Sequence, residues 1–193
     1  MRTPCLAALA AAAFALPALA VTLIPLTDQE IAAHAAHAVV GTVTGTRVGE
    51  LDPDGDGVSQ PWTTVTLRVE QALKGEFRAG DTLSFRQMGG TVGQTTLRTP
   101  GLPQFAAGDR VLLFLNARLD NPAVSPLVGW SQGCWRIRTG GDGAAHAARD
   151  FSGACFATLR DGRLVAAQKP DSREEPLGDL LERFEAVLSG DNR

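Results

Sequence analysis

The sequence predicts a mainly β domain, a small barrel or sandwich with a helix near each end. Three observations predict it. Four strand-like runs follow one another at residues 38–44, 63–70, 81–86 and 110–115. In the second and third, apolar and polar residues alternate, so each has one buried and one wet face. Near the C-terminus Leu177, Leu180, Leu181, Phe184 and Leu188 fall at helical spacing and predict an amphipathic helix.

The chain begins with a segment of a different kind. Residues 1–20 read as a secretory signal: Arg2 is a short positive region, residues 5–16 are apolar, and Pro17 breaks the run. Small residues at Ala18 and Ala20 place cleavage before Val21, which makes the protein periplasmic or secreted and leaves a mature chain of ~173 residues. That length suits one domain with a sizeable core. The apolar stretch is short for a membrane span, and no other segment is long enough. The 18 Lys and Arg against 21 Asp and Glu give a net charge of −3, or −4 without Arg2. The basic residues are scattered, which argues against nucleic acid or an anionic membrane surface as partner. Abundant Ala, Arg and Gly with scarce Lys associate the sequence with a GC-rich bacterial genome.

Along the mature chain, Thr27-Asp-Gln-Glu30 forms a capping box and predicts a helix from about Asp28 to His37. The first strand follows, with Gly41 where a bend or close neighbour needs room. Residues 50–60 are a polar turn. The second strand runs to about Leu73 and stops at Lys74-Gly75. Ala79-Gly80 turns into the third strand, and Gly108-Asp109 into the fourth. Between them lie a glycine-rich stretch at 88–93, expected to be a wide turn or bulge, and a loop at 100–103 over Phe105. A further strand covers about 127–137, interrupted near Gly133. Residues 156–167 are a hairpin with Asp161-Gly162 at its tip. The expected organisation is therefore a signal at 1–20, a β domain at 21–168, and a charged linker with the terminal helix at 169–193.

Cys134 and Cys155 are an even pair once Cys5 leaves with the signal, and in an exported protein they predict a disulfide. The closed loop of about 20 residues would be worth roughly 3 kcal/mol. It contains the glycine- and alanine-rich stretch 140–148, which reads as a flexible excursion.

Several motifs suggest chemistry. Asp52, Asp54 and Asp56 alternate before Gly57, as in the first half of an EF-hand calcium loop. The closing bidentate position is Thr63, so a Ca²⁺ site here would be weak, and a plain turn explains the same residues. His34 and His37 share a predicted helix, with His146 far away in sequence; a metal site lacks a third nearby ligand, although a small hydrolase using one of these histidines is an alternative reading. Ser131-Gln-Gly-Cys134 does not match a nucleophile elbow. Trp62, Trp130 and Trp135 are either core residues or a binding face.

The succession of 36–43, 65–75 with its closing Lys74-Gly75, the Gly89-Gly90 pair, and Phe105-x-x-Gly108-Asp109-x-Val111-Leu-Leu-Phe-Leu115 resembles a group of uncharacterised exported bacterial proteins. More distantly it resembles the OB-fold domain of the netrin/TIMP (tissue inhibitor of metalloproteinases) type, over about residues 33–137. The resemblance implies a five-to-six-stranded OB-like barrel with a short N-terminal helix, a C-terminal hairpin and a C-terminal helix. It also implies a non-enzymatic exported module that engages a protein partner, such as an exported protease, through barrel loops. TIMP-like inhibitors use an amino-terminal cysteine, whereas the mature chain here starts at Val21; that inhibitory mechanism is not carried over. A structural envelope protein with a weak calcium loop at 52–57 is the third reading.

Overall fold

A computed structural model describes residues 20–53, 55–121 and 124–190. The signal segment, apart from Ala20, and Asp54 lie outside the described residues. The order is β1 (Val21–Leu23), α1 (Asp28–His34), β2 (His37–Leu51), β3 (Gln60–Lys74), β4 (Thr82–Met88), β5 (Gly90–Val92), β6 (Thr95–Leu97), β7 (Arg110–Leu115), a 3₁₀ turn (Trp130–Gly133), β8 (Cys134–Thr139), β9 (Ala145–Arg149), β10 (Ala154–Arg160), β11 (Arg163–Ala166), β12 (Glu175–Pro176) and α2 (Leu177–Ser189). The protein is mainly β with two helices, as its strand patterns predict. No helix among the described residues is long and apolar enough to cross a membrane.

The main sheet has the order β12-β9-β8-β7-β2-β3-β4, with every neighbouring pair antiparallel. Strands β2, β3 and β4 form a meander, and β7 returns to lie on the other side of β2. That arrangement is a Greek key. β2 and β3 are each 15 residues long, and their pairing slips at Val40/Gly41 and Val43/Gly45. Such bulges bend and twist a long ribbon. Gly41 sits at one slip, where a Cβ would stand 2.6 Å from the Arg68 carbonyl oxygen. That close approach is the room the sequence reserved for it.

Both faces of this sheet are covered. One face gathers Val39, Val43, Val65, Leu67, Leu83, Phe85, Val111, Leu113 and Leu115. The opposite face gathers Val40, Leu112, Phe114, Trp135 and Ile137, onto which α1 lays Ile31 and Ala32, and α2 lays Leu177, Leu180 and Phe184. Successive residues of a strand point to opposite faces, so β7 is apolar at every position from Val111 to Leu115 because both sides are dry. β4 and the middle of β3, residues 64–70, keep the alternating pattern.

α1 carries the expected capping box: Glu30 N–H donates to Thr27 Oγ1 at 3.2 Å, and Thr27 N–H donates to Glu30 Oε2 at 2.7 Å. It ends three residues earlier than its pattern suggests, since Ala36 N–H donates to the Leu115 carbonyl and draws the chain into the sheet. Lys74 Nζ donates to the Ala32 carbonyl at 2.8 Å, satisfying an acceptor of the helix's last turn.

Three expectations change. The stretch 140–148 is a tight turn leading into β9, closed by Gly140 N–H to the Ala144 carbonyl, and Ala147 is buried. Alanine at alternate positions is small enough to lie under α2, which composition alone does not reveal. The 88–93 stretch becomes a short β5–β6 hairpin. The segment 127–137 is a single bridge at Leu127, a 3₁₀ turn and then β8. The 156–167 hairpin forms as expected, with Asp161 and Gly162 both at positive φ (51° and 74°) as a two-residue turn requires. β11 and β10 continue into parallel β1, whose Leu23 packs with Phe151 and Phe156 in a small separate core.

Cys134 and Cys155 are both free thiols, so the expected bridge is not formed here. Cys134 points into the core beside Leu113 and Val43, whereas Cys155 is exposed on β10. Burial pushes the Cys134 thiol up to about 12. The thiolate is the reactive species, so of these two cysteines only Cys155 should react with a thiol reagent in the folded protein. Cys134 should label only on denaturation, which a labelling time course followed by mass spectrometry reads directly. Equal labelling of both in the native state would contradict the packing described.

Candidate functional site

Two of the three tryptophans converge on one cleft. Trp62, near the start of β3, pairs with Met88 at the end of β4. Trp130 opens the 3₁₀ turn. Together with Gln87, Thr99, Leu102, Val124, Ser125 and Pro126 they line a cavity of about 180 Å³. This described lining carries no ionisable side chain, so its chemistry is apolar contact and neutral hydrogen bonding.

Each wall is held by identifiable bonds. Thr99 Oγ1 donates to the Met88 carbonyl at 3.2 Å, which anchors the loop after β6. Asn116 Nδ2 donates to the Ser125 carbonyl at 2.7 Å, and Leu127 N–H donates to Ser125 Oγ at 3.2 Å. Gly129 and Trp130 are consecutive left-handed residues, with φ of 59° and 63°. For tryptophan that conformation is strained by about 1–3 kcal/mol. The turn is over-determined by Gln132, which accepts from Leu26 N–H at 2.8 Å and donates to the Ile24 carbonyl at 3.0 Å. Gln132 therefore bolts the turn bearing Trp130 to the segment between β1 and α1.

The polar side chains in the cleft are half satisfied. Gln87 Nε2 donates to the Pro103 carbonyl at 2.9 Å, which fixes the orientation of its carboxamide. Gln87 Oε1 and Trp62 Nε1 are buried without a hydrogen-bond partner. Leaving such groups unmade costs about 1–3 kcal/mol each. The cleft thus carries one spare donor and one spare acceptor among apolar walls. An amide presents the complementary pair, a carbonyl and an N–H.

The other candidate residues lie elsewhere. Trp135 is 2 % exposed, packed edge-on against Phe114 and Phe184 in the core under α2, so it is no part of this cleft. Asp52 uses both carboxylate oxygens on its own turn, accepting from Gly55 and Gly57 N–H at 2.9 Å each, and Asp56 accepts from Val58 N–H at 2.7 Å. Those bonds describe an ordinary turn; Asp54 lies outside the described residues. His34 is exposed at the end of α1, and His37 is buried against Phe77. His146 on β9 pairs with Asp142 at 3.0 Å. The three histidines have separate surroundings. Among the described residues no cluster of His, Cys, Asp or Glu is suited to hold a metal ion.

Sequence reasoning missed Gln87, Met88 and the 124–126 segment. Gln87 did leave a signal: it continues the inward series Leu83, Phe85, Gln87, a polar residue at a position whose period belongs to the core. No family model matches the chain, and neither a curated protein nor a solved structure matches it.

Proposed function

We propose that this chain is an exported, non-enzymatic binding module, periplasmic or secreted, that holds a protein partner at the Trp62–Trp130 cleft. The scaffold is read as an OB-like barrel of the netrin type. The Greek key order β7-β2-β3-β4, the bulged long strands and the buried inward face of β4 support that reading. The observation that carries the function is the pair of unpartnered buried atoms, Trp62 Nε1 and Gln87 Oε1, in a cleft with indole walls. Pockets of this make-up, mostly apolar with a few placed polar groups, are the usual form of a binding site. An extended peptide segment bearing one apolar side chain supplies both what fills the cleft and the amide that meets its donor and acceptor.

The test is site-specific crosslinking in the native envelope. A photoreactive residue replacing the rim residue Val124 should trap a discrete partner, and trapping should fall at least about tenfold when Trp130→Ala removes one wall. The same group at Leu159, exposed on the β10–β11 hairpin and outside the cleft lining, should not trap it. Equal trapping from both positions, or none from Val124, would remove the proposal.

A further inference from the structure

The geometry points to a second site, independent of the cleft, that binds a small zwitterion carrying a carboxylate and an ammonium, of the α-amino acid class, between Arg149 and Glu174. A cavity of about 410 Å³ lies where β9, β12, the linker and the two helices meet, with Trp135 on its wall. Its charged residues are mostly spent on one another. Arg183 donates through Nη1 and Nη2 to both Glu175 oxygens at 2.6 and 2.8 Å, and through Nε to Asp28 Oδ2 at 3.0 Å. Arg173 and Asp171 pair at 2.7 Å.

Two groups keep hydrogen-bonding capacity beyond their ion pairs, Arg149 with Asp28 and Glu174 with His146. Arg149 is nine-tenths buried, with 9 % of its side chain exposed. It stacks on Trp135 at 4.7 Å, and its Nε and Nη2 both donate to the Asp171 carbonyl. Its Nη1 has no hydrogen-bond partner, the nearest carboxylate oxygen being Asp28 Oδ1 at 3.6 Å. A buried guanidinium with idle donors is expensive, because charge-assisted hydrogen bonds are what offset its desolvation. Burial is the main influence on Arg149, drawing its affinity for the proton below the usual arginine range. Glu174 is the second, at the solvent-facing side of the cavity with 56 % of its side chain exposed: its charged neighbour is His146 Nδ1, at 3.9 Å, beyond hydrogen-bond reach.

Arg149 and Glu174 line the same cavity with opposite charge. A simple anion would meet Arg149 but also four carboxylates, those of Asp28, Asp171, Glu174 and Glu175. A simple cation would meet Glu174 but also three guanidinium groups. A ligand bearing both charges satisfies the idle donor and the idle acceptor, and leaves the existing pairs intact.

Nitrogen-resolved NMR titration of the whole protein tests this, read at the Arg149 Nε–H and Trp135 Nε1–H resonances. Leucine should shift both saturably. N-acetylleucine, which lacks the ammonium, and leucinamide, which lacks the carboxylate, should require at least about tenfold higher concentrations. Glu174→Gln, an exposed change, should weaken leucine by a similar factor while leaving the N-acetylleucine response as it was. No saturable shift with leucine, or the same midpoint for all three compounds, overturns the assignment. Because neither resonance belongs to the Trp62–Trp130 cleft, the outcome is separate from that of the partner proposal.

Discussion

Phe184→Ala should remove about 3–5 kcal/mol of folding stability, the cost of deleting a fully buried aromatic ring whose neighbours cannot collapse into the void. Phe184 is completely buried, with its ring centroid 4.4 Å from Phe114 and 5.2 Å from Trp135. Phe184 projects from α2 onto Phe114 and Trp135 of the sheet face that the two helices cover. For a domain of ordinary stability, about 5–15 kcal/mol, this is a large share of the total. The measurement is urea unfolding followed by tryptophan fluorescence, with a lower midpoint at similar slope. Phe184→Leu should recover most of the loss, since it refills much of the volume. A Phe184→Ala variant within about 1 kcal/mol of wild type would mean that α2 does not seal this core.

Gly75→Ala should cost between about 2 and 6 kcal/mol, from two sources that add. Gly75 ends β3 with φ of 96°, in the left-handed region where a side chain is strained. A Cβ there would also overlap His37 Nδ1 and stand 2.8 Å from the Ala36 carbonyl oxygen. His37 is buried at the start of β2, edge-on to Phe77 at 4.9 Å, so it has little room to yield. Removing the imidazole should restore part of the loss: in a cycle with His37→Ala, the double variant should be more stable than the sum of the singles by about 0.5–3 kcal/mol. Thermal melts of the four proteins measure this. Strict additivity would place the cost in backbone strain and the Ala36 carbonyl contact, with none from the imidazole.

Gly75 also shows how much the sequence disclosed. Lys74-Gly75 reads as a strand stop from composition alone, and the stop falls there. Its reason, the passage of His37 and Ala36 within contact distance, joins residues nearly 40 positions apart and belongs to the tertiary structure. The same division holds for the cleft. Trp62 and Trp130 stand out in a sequence without tyrosine. Trp135 stands out equally and turns out to be core, because the one-residue alternation of β8 sends it under α2 while Cys134 faces the opposite layer. Gln87 was legible as a polar intruder in an inward series, but its partner wall at 124–126 was not, since that segment has no periodic pattern and reaches the cleft only by following β7.

The sequence by itself determined the mainly β class, the capped first helix, the terminal amphipathic helix and the Asp161-Gly162 hairpin. Each of these depends on local periodicity or turn chemistry, which neighbouring residues carry among themselves. Only the tertiary structure decided that β7 lies beside β2, that β9 replaces a flexible excursion, and which tryptophans meet. It also decided that Arg149 and Glu174, 25 positions apart, share a cavity with charge to spare. Those outcomes depend on pairing between distant strands and on which face each residue takes once both sides of the sheet are covered. No short window of sequence contains that information.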